Sequence, residues 1–130
     1  MSESNNNKDS IISKKTFVFA LQIIKLYQFL SQEKREYVLS KQILKAGTSI
    51  GANVNEAVCA QSKRDFVHKL SISLKEARET MYWLALLQES SFLDKEIHKN
   101  LKSDCEEIIK ILTSIILTTK ERYFGKKDNS

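Results

Sequence analysis

Proline is absent from the 130 residues, and glycine occurs only 3 times. The two strongest helix breakers are nearly missing, so long uninterrupted helices are the natural outcome. A β-sandwich of this size would carry more turn residues and more alternating β-branched runs. Cysteine is scarce as well. Cys59 and Cys105 form no Cys-x-x-Cys pair and have no His at zinc spacing. No glycine-rich phosphate cradle occurs. The apolar runs are too short and too interrupted to span a bilayer. Met1 to Ser10 is polar and lacks the apolar core of a signal peptide. These absences set the expectations of a cytoplasmic chain with reduced thiols, no membrane contact and no cofactor. Cys59 falls near a helix end, where the dipole disfavours a thiolate, and is expected to be a small packing residue.

What is present is ordinary for a soluble globular chain: 42% hydrophobic and 28% charged residues, enough for one domain with a single core. The net charge of +5 permits binding to phosphate or to an acidic protein without requiring it.

Helical periodicity fills the chain between a leader expected to be disordered, residues 1–9, and a flexible tail from Gly125 to Ser130. The first helix is expected over about Ser10–Leu30. It has two apolar stripes, Phe17, Leu21, Ile24, Gln28 and Ala20, Ile23, Tyr27, Leu30. A helix apolar on more than one face is buried on more than one side, so one face serves the bundle and the other a second subunit. Ser31 is the candidate N-cap of a second helix, about Gln32–Ala60, with the inward stripe Ser40, Ile43, Gly47, Ile50, Val54, Ala57. Gly47 and Gly51 stand one turn apart. Each costs about 1 kcal/mol relative to Ala, so close approach of another helix or subunit is the expected compensation, with a kink as the alternative. Ser62-Lys63-Arg64-Asp65 has the form of a capping box and opens a third helix to about Glu89. Its stripe is Phe66, Leu70, Leu74, Ala77, Met81, Leu84, Gln88. The fourth helix, about Leu93–Tyr123, shows Ile97, Leu101, Asp104, Ile108, Leu112, Ile115, Thr119. Short connections between such helices predict an all-α, antiparallel up-down-up-down four-helix bundle.

The chemistry is sparse. Asp65 and His68 form one carboxylate-x-x-His pair, whereas di-metal bundles need two, and Lys95 precedes His98 where the second carboxylate would stand. His68 therefore reads as a surface or interface residue. Glu56, Glu76 and Glu79 have no nucleophile or oxyanion site near them in sequence. They read as structural carboxylates with Lys69, Lys75 or Arg78 as partners. Lys34, Arg35, Lys41 and Lys45 recur at about helical spacing, and Lys63-Arg64 opens the next helix. These six residues are the candidate nucleic-acid contacts, as one basic rim. No aromatic is regularly interleaved, so backbone contacts are expected rather than base stacking.

The segment Tyr37 to Leu87 carries a family resemblance. The run Ser49, Ile50, Asn53, Val54, Glu56, followed by Phe66 and by Ser73, Leu74, Glu76, resembles the hallmark of the bacterial four helix bundle protein family. Its members are also called proteins of the intervening sequences in large-subunit ribosomal RNA genes. The family is similar to the accessory variability determinant of diversity-generating retroelements. Ala57 departs from the usual glycine, which leaves open the turn after the second helix. The resemblance implies a homopentameric, barrel-like ring with a basic surface and no enzymatic activity. For the retroelement relatives it implies binding to RNA and to a reverse transcriptase.

The expected function is thus a non-enzymatic, homo-oligomeric basic scaffold that binds RNA or DNA, or an RNA-handling partner. Gly47, Gly51, Asn53, Glu56, Phe66 and Glu76 are its structural or interface residues. The alternatives are a protein-interaction module without nucleic-acid contact, and a metal-bundle enzyme.

Overall fold

The computed structural model describes residues 3–125. It contains four helices: α1 (Glu3–Gln32), α2 (Leu39–Val58), α3 (Lys63–Glu89) and α4 (Lys95–Lys120), followed by a π-helical turn over Glu121–Gly125. There is no strand among the described residues. Each helix packs on the next, and α4 returns against α1, so the four enclose one core. None of these helices is long and apolar enough to cross a membrane.

α1 starts at Glu3, so residues 3–9, expected in a disordered leader, form its first turns. Nothing in this stretch breaks a helix, and propagation from an established one adds a hydrogen bond for each residue ordered. Past Gly125, the expected tail lies outside the described residues.

The inward face of α1 is Ile12, Thr16, Phe19, Ile23, Leu26 and Leu30, all buried. These residues alternate spacings of four and three, as a helix seam requires. Of the two expected stripes, Phe17, Leu21, Ile24 and Gln28 lie on the exposed side. Phe17 is 65% exposed.

Ser31 does not cap α2. Its hydroxyl donates to the Tyr27 carbonyl at 2.8 Å, inside α1. Six residues then intervene, and Arg35 turns the chain through a left-handed conformation, φ 53°. The cap comes from Glu36, whose carboxylate accepts from the backbone N–H of Val38, Leu39 and Ser40 at 3.0, 2.8 and 2.7 Å. Burial raises the Glu36 pKa, but these donors and the Ser40 hydroxyl together outweigh it and hold the group below its ordinary value.

The stripe expected for α2 is buried as read, with Ala46 added. Its glycines serve close approach to α1. A Cβ on Gly47 would lie 2.8 Å from Ile23 Cγ1, and one on Gly51 would lie 3.3 Å from the Thr16 carbonyl oxygen. The partner position moves back along α1 as α2 advances. α2 ends at Val58, where Cys59 and Ala60 N–H groups bond to the Glu56 and Ala57 carbonyls without a left-handed residue. Alanine is therefore accommodated where the family pattern has glycine.

Ser62 caps α3 by accepting from the Asp65 N–H at 3.0 Å, as its motif predicts. The buried face of α3 is Val67, Leu70, Ser73, Ala77, Thr80, Leu84 and Leu87. Phe66, Leu74 and Met81 sit half-buried at its edge, a rotation of less than one residue from the expected stripe. The rotation follows from close packing on α2, where the Ser73 hydroxyl donates to the Ile50 carbonyl at 2.8 Å. Small Ser73 and Thr80 fit that seam, while bulky Phe66 and Met81 flank it. α4 begins at Lys95, two residues after the expected Leu93, capped by Asp94, which accepts from the Ile97 N–H at 2.8 Å. Cys105 takes the core place expected for Asp104, and Ile97 is exposed. Cys59, expected to be a small packing residue, is exposed, and it is Cys105 that is buried. Burial pushes the Cys105 pKa up to about 12, with Glu106 and Asp104 adding to it.

Candidate nucleic-acid interface

The six expected basic residues do not form one rim. Lys34 and Arg35 lie in the loop before α2, and Lys41 lies in its first turn; Lys63 and Arg64 follow its far end. The 20 residues of α2 separate the two groups by about 30 Å at 1.5 Å per residue. Lys45 sits between them, one turn beyond Lys41 and near Glu76. Helical spacing fails for Lys34 and Arg35 because α2 starts later than the periodicity suggests.

The end that carries Lys63 gathers other cations instead. Arg64 and Lys120 line one groove of about 790 Å³, together with Val67, Leu117, Glu121, Phe124 and Gly125. Arg122 lies on the same terminal turn and is exposed. Lys63 Nζ stands 5.0 Å from the centroid of Tyr123 and 5.7 Å from that of Phe66. Such cation–aromatic contacts at exposed sites contribute about 0.5–1 kcal/mol each. Asp9 of α1 reaches this end too. Its burial raises its pKa, and the Lys63 charge opposes the rise. The opposite end holds a smaller pairing, Lys34 Nζ 5.8 Å from the Phe29 ring.

The expected structural residues separate by role. Gly47 and Gly51 face α1 within the chain. Asn53 is half-buried and donates to the Ser49 carbonyl at 2.9 Å within its own helix. Glu56 is exposed and pairs with Lys69 at 3.1 Å, one of the expected partners. Phe66 packs against the core beneath Lys63. Glu76 has one carboxylate oxygen buried without a hydrogen-bond partner. Burial raises its pKa, Glu79 adds to the rise, and Lys75 and Lys45 oppose it. Glu79 accepts from the Trp83 indole N–H at 3.3 Å. His68 is exposed, and among the described residues no three His, Cys, Asp or Glu side chains gather as a metal ion would require.

Residues 8–114 match the family model of the 23S rRNA-intervening sequence protein. The chain belongs to this family. A solved structure of a protein with unknown function, from the S23 ribosomal protein family of Bacteroides thetaiotaomicron VPI-5482, is similar at 50% identity. That likeness covers 84% of this chain and 97% of the other, with a TM-score of 0.83. No curated protein matches the chain. The groove cation Lys120 and the nearby exposed Arg122 come from the last turns, past residue 114, where the family match ends. Neither is among the six basic residues expected from the sequence. The available signal was Arg122-Tyr123-Phe124, a basic–aromatic run that closes an amphipathic helix.

Proposed function

We propose that this protein is a non-enzymatic, self-associating basic scaffold that holds RNA by its phosphate backbone. The observation that carries this reading is the gathering of Lys63, Arg64, Lys120 and Arg122 at one end of the bundle. Cations arranged on one end create a local positive field that attracts phosphate and makes binding salt-dependent. The family's name refers to the intervening sequence of 23S rRNA, which supports RNA over an acidic protein in this reading.

Self-association completes the reading. We take the helices to run up-down-up-down, supported by the reversed register of Gly47 with Ile23 and Gly51 with Thr16. The outer face of α1 exposes Phe17, Val18, Leu21 and Ile24 side by side. A contiguous apolar face on a small domain marks an association surface. A pentameric ring, as the family resemblance implies, would bury that face and repeat the basic end five times. Repetition multiplies weak phosphate contacts into useful affinity.

Retention of labelled RNA on the full-length protein, measured from about 50 to about 200 mM salt, tests the reading. Binding is expected at low salt and falls steeply as salt rises. Replacing Lys63, Arg64 and Lys120 together by Glu is expected to abolish it, while Lys34→Glu with Lys41→Glu at the opposite end weakens it less. No retention by the wild type at low salt ends the proposal.

A further inference from the structure

The geometry points to a site for an unpaired nucleotide in the groove between the start of α3 and the end of α4. The base would lie against Phe124 and Leu117, and its phosphate would meet Arg64 and Lys120. This deepens the RNA-binding reading above and rests on it.

Three observations converge on the groove. First, its walls carry opposite kinds of chemistry. Val67, Leu117 and Phe124 form an apolar floor, and Arg64 and Lys120 stand at its edges with Glu121 as the only acidic lining residue. A nucleotide has this same division, an apolar aromatic face joined to an anion. Second, Leu117 is 61% exposed although it lies on a helix whose neighbours Ile115 and Ile116 are buried. Exposed leucine beside half-buried Phe124 leaves apolar area for a planar ligand to cover. Third, the groove, at about 790 Å³, falls within the range of small-ligand sites. Tyr123, 39% exposed and beside Lys63, adds an aromatic flank at the same end.

These features select among phosphate-bearing partners. Duplex RNA keeps its base faces stacked inside the helix and offers mainly phosphates and 2′-hydroxyls, so it would leave the apolar floor uncovered. Single strands present free base faces that stack on aromatic side chains. An acidic peptide would satisfy Arg64 and Lys120 but has no use for the Phe124 and Leu117 surface. The sequence alone argues against base contact, since no aromatic alternates with the lysines. The tertiary structure supplies the missing aromatics by bringing the Tyr123-Phe124 turn back to Lys63 and Arg64.

The test compares a short oligouridine with an RNA duplex of equal phosphate count, on the full-length protein at one salt concentration. Wild type is expected to bind the single strand about tenfold more tightly, which corresponds to 1.4 kcal/mol. Phe124→Ala should reduce oligouridine binding by about five- to tenfold and leave duplex binding and the salt slope unchanged. Leu117→Gln, at an exposed position that folding does not depend on, should act the same way and covers the case where Phe124→Ala unfolds the helix end. Ultraviolet crosslinking of 4-thiouridine RNA should label the peptide that contains Tyr123 and Phe124. Equal affinity for both RNAs, or equal weakening of both by Leu117→Gln, overturns the nucleotide site while leaving the scaffold reading intact. Failure of wild type to bind either RNA overturns both.

Discussion

Replacing Gly47 by alanine tests how tightly α1 and α2 are drawn together. The new methyl would stand 2.8 and 2.9 Å from the two γ-carbons of Ile23 and 3.2 Å from its Cβ. Ile23 is fully buried, and a β-branched side chain in a helix has essentially one χ1 rotamer, so it cannot swing aside. The helices must therefore separate or the core must shift. Overpacking of this kind costs about 1–3 kcal/mol. Alanine returns about 1 kcal/mol through its better helix propensity. With carbons this close to a rigid side chain the cost falls at the upper end, so the net loss is about 2 kcal/mol. Urea unfolding followed by helical circular dichroism reads it directly. At a slope of about 2 kcal/mol/M the midpoint drops by about 1 M. All variants must be compared at one chain concentration, because the proposed self-association would make stability depend on it. Ile23→Ala removes both γ-carbons and costs about 2–5 kcal/mol by itself. Combined with Gly47→Ala it leaves room for the new methyl, so the pair should be less damaging than the sum by about 1–2 kcal/mol. A Gly47→Ala protein as stable as wild type would refute the close approach and return Gly47 to the alternative of a kink.

Other outcomes follow from the same contacts. Glu36→Ala removes the carboxylate that caps three N–H groups of α2 and should cost about 1 kcal/mol in the same assay. Because the folded state lowers the Glu36 pKa, its contribution is complete above the ordinary carboxylate range. It fades as pH falls through the lowered folded value, so wild type and variant should converge in acid. Glu76 has the opposite sign: its folded pKa is raised, so ionisation weakens the fold as pH rises through and above the ordinary range. Glu76→Gln should therefore raise the melting temperature at pH 7 and lose that advantage in acid; a variant less stable than wild type at pH 7 would contradict the orphaned carboxylate. A thiol reagent at pH 8 should label Cys59 quickly in native protein and reach Cys105 only on unfolding, since Cys105 is buried with its pKa pushed to about 12. Two rapidly labelled thiols in folded protein would count against this core.

The sequence by itself determined the helical class, the number of helices and most of the core. The reason is local: breakers are nearly absent, and apolar spacing over long segments has one physical solution. The α2 stripe from Ser40 to Ala57 and the Ser62 cap were readable for this reason. The family was legible in the middle helices as well, where the hallmark residues stand close together. The start of α2 was not readable, because Glu36 caps through a long side chain that reaches three backbone groups, while Ser31 looks like a cap yet bonds inside α1. The Asp104–Cys105 choice also escaped, since adjacent residues differ by only one helical step and packing selects between them. Only the tertiary structure placed the cations. Periodicity describes one helix at a time, whereas the Lys63 end is assembled from the beginning of α3 and the close of α4. The six-residue rim failed because α2 is a rigid rod that holds its two loops apart. The candidate site appeared because the chain's return brings Tyr123 and Phe124 to residues some sixty positions earlier.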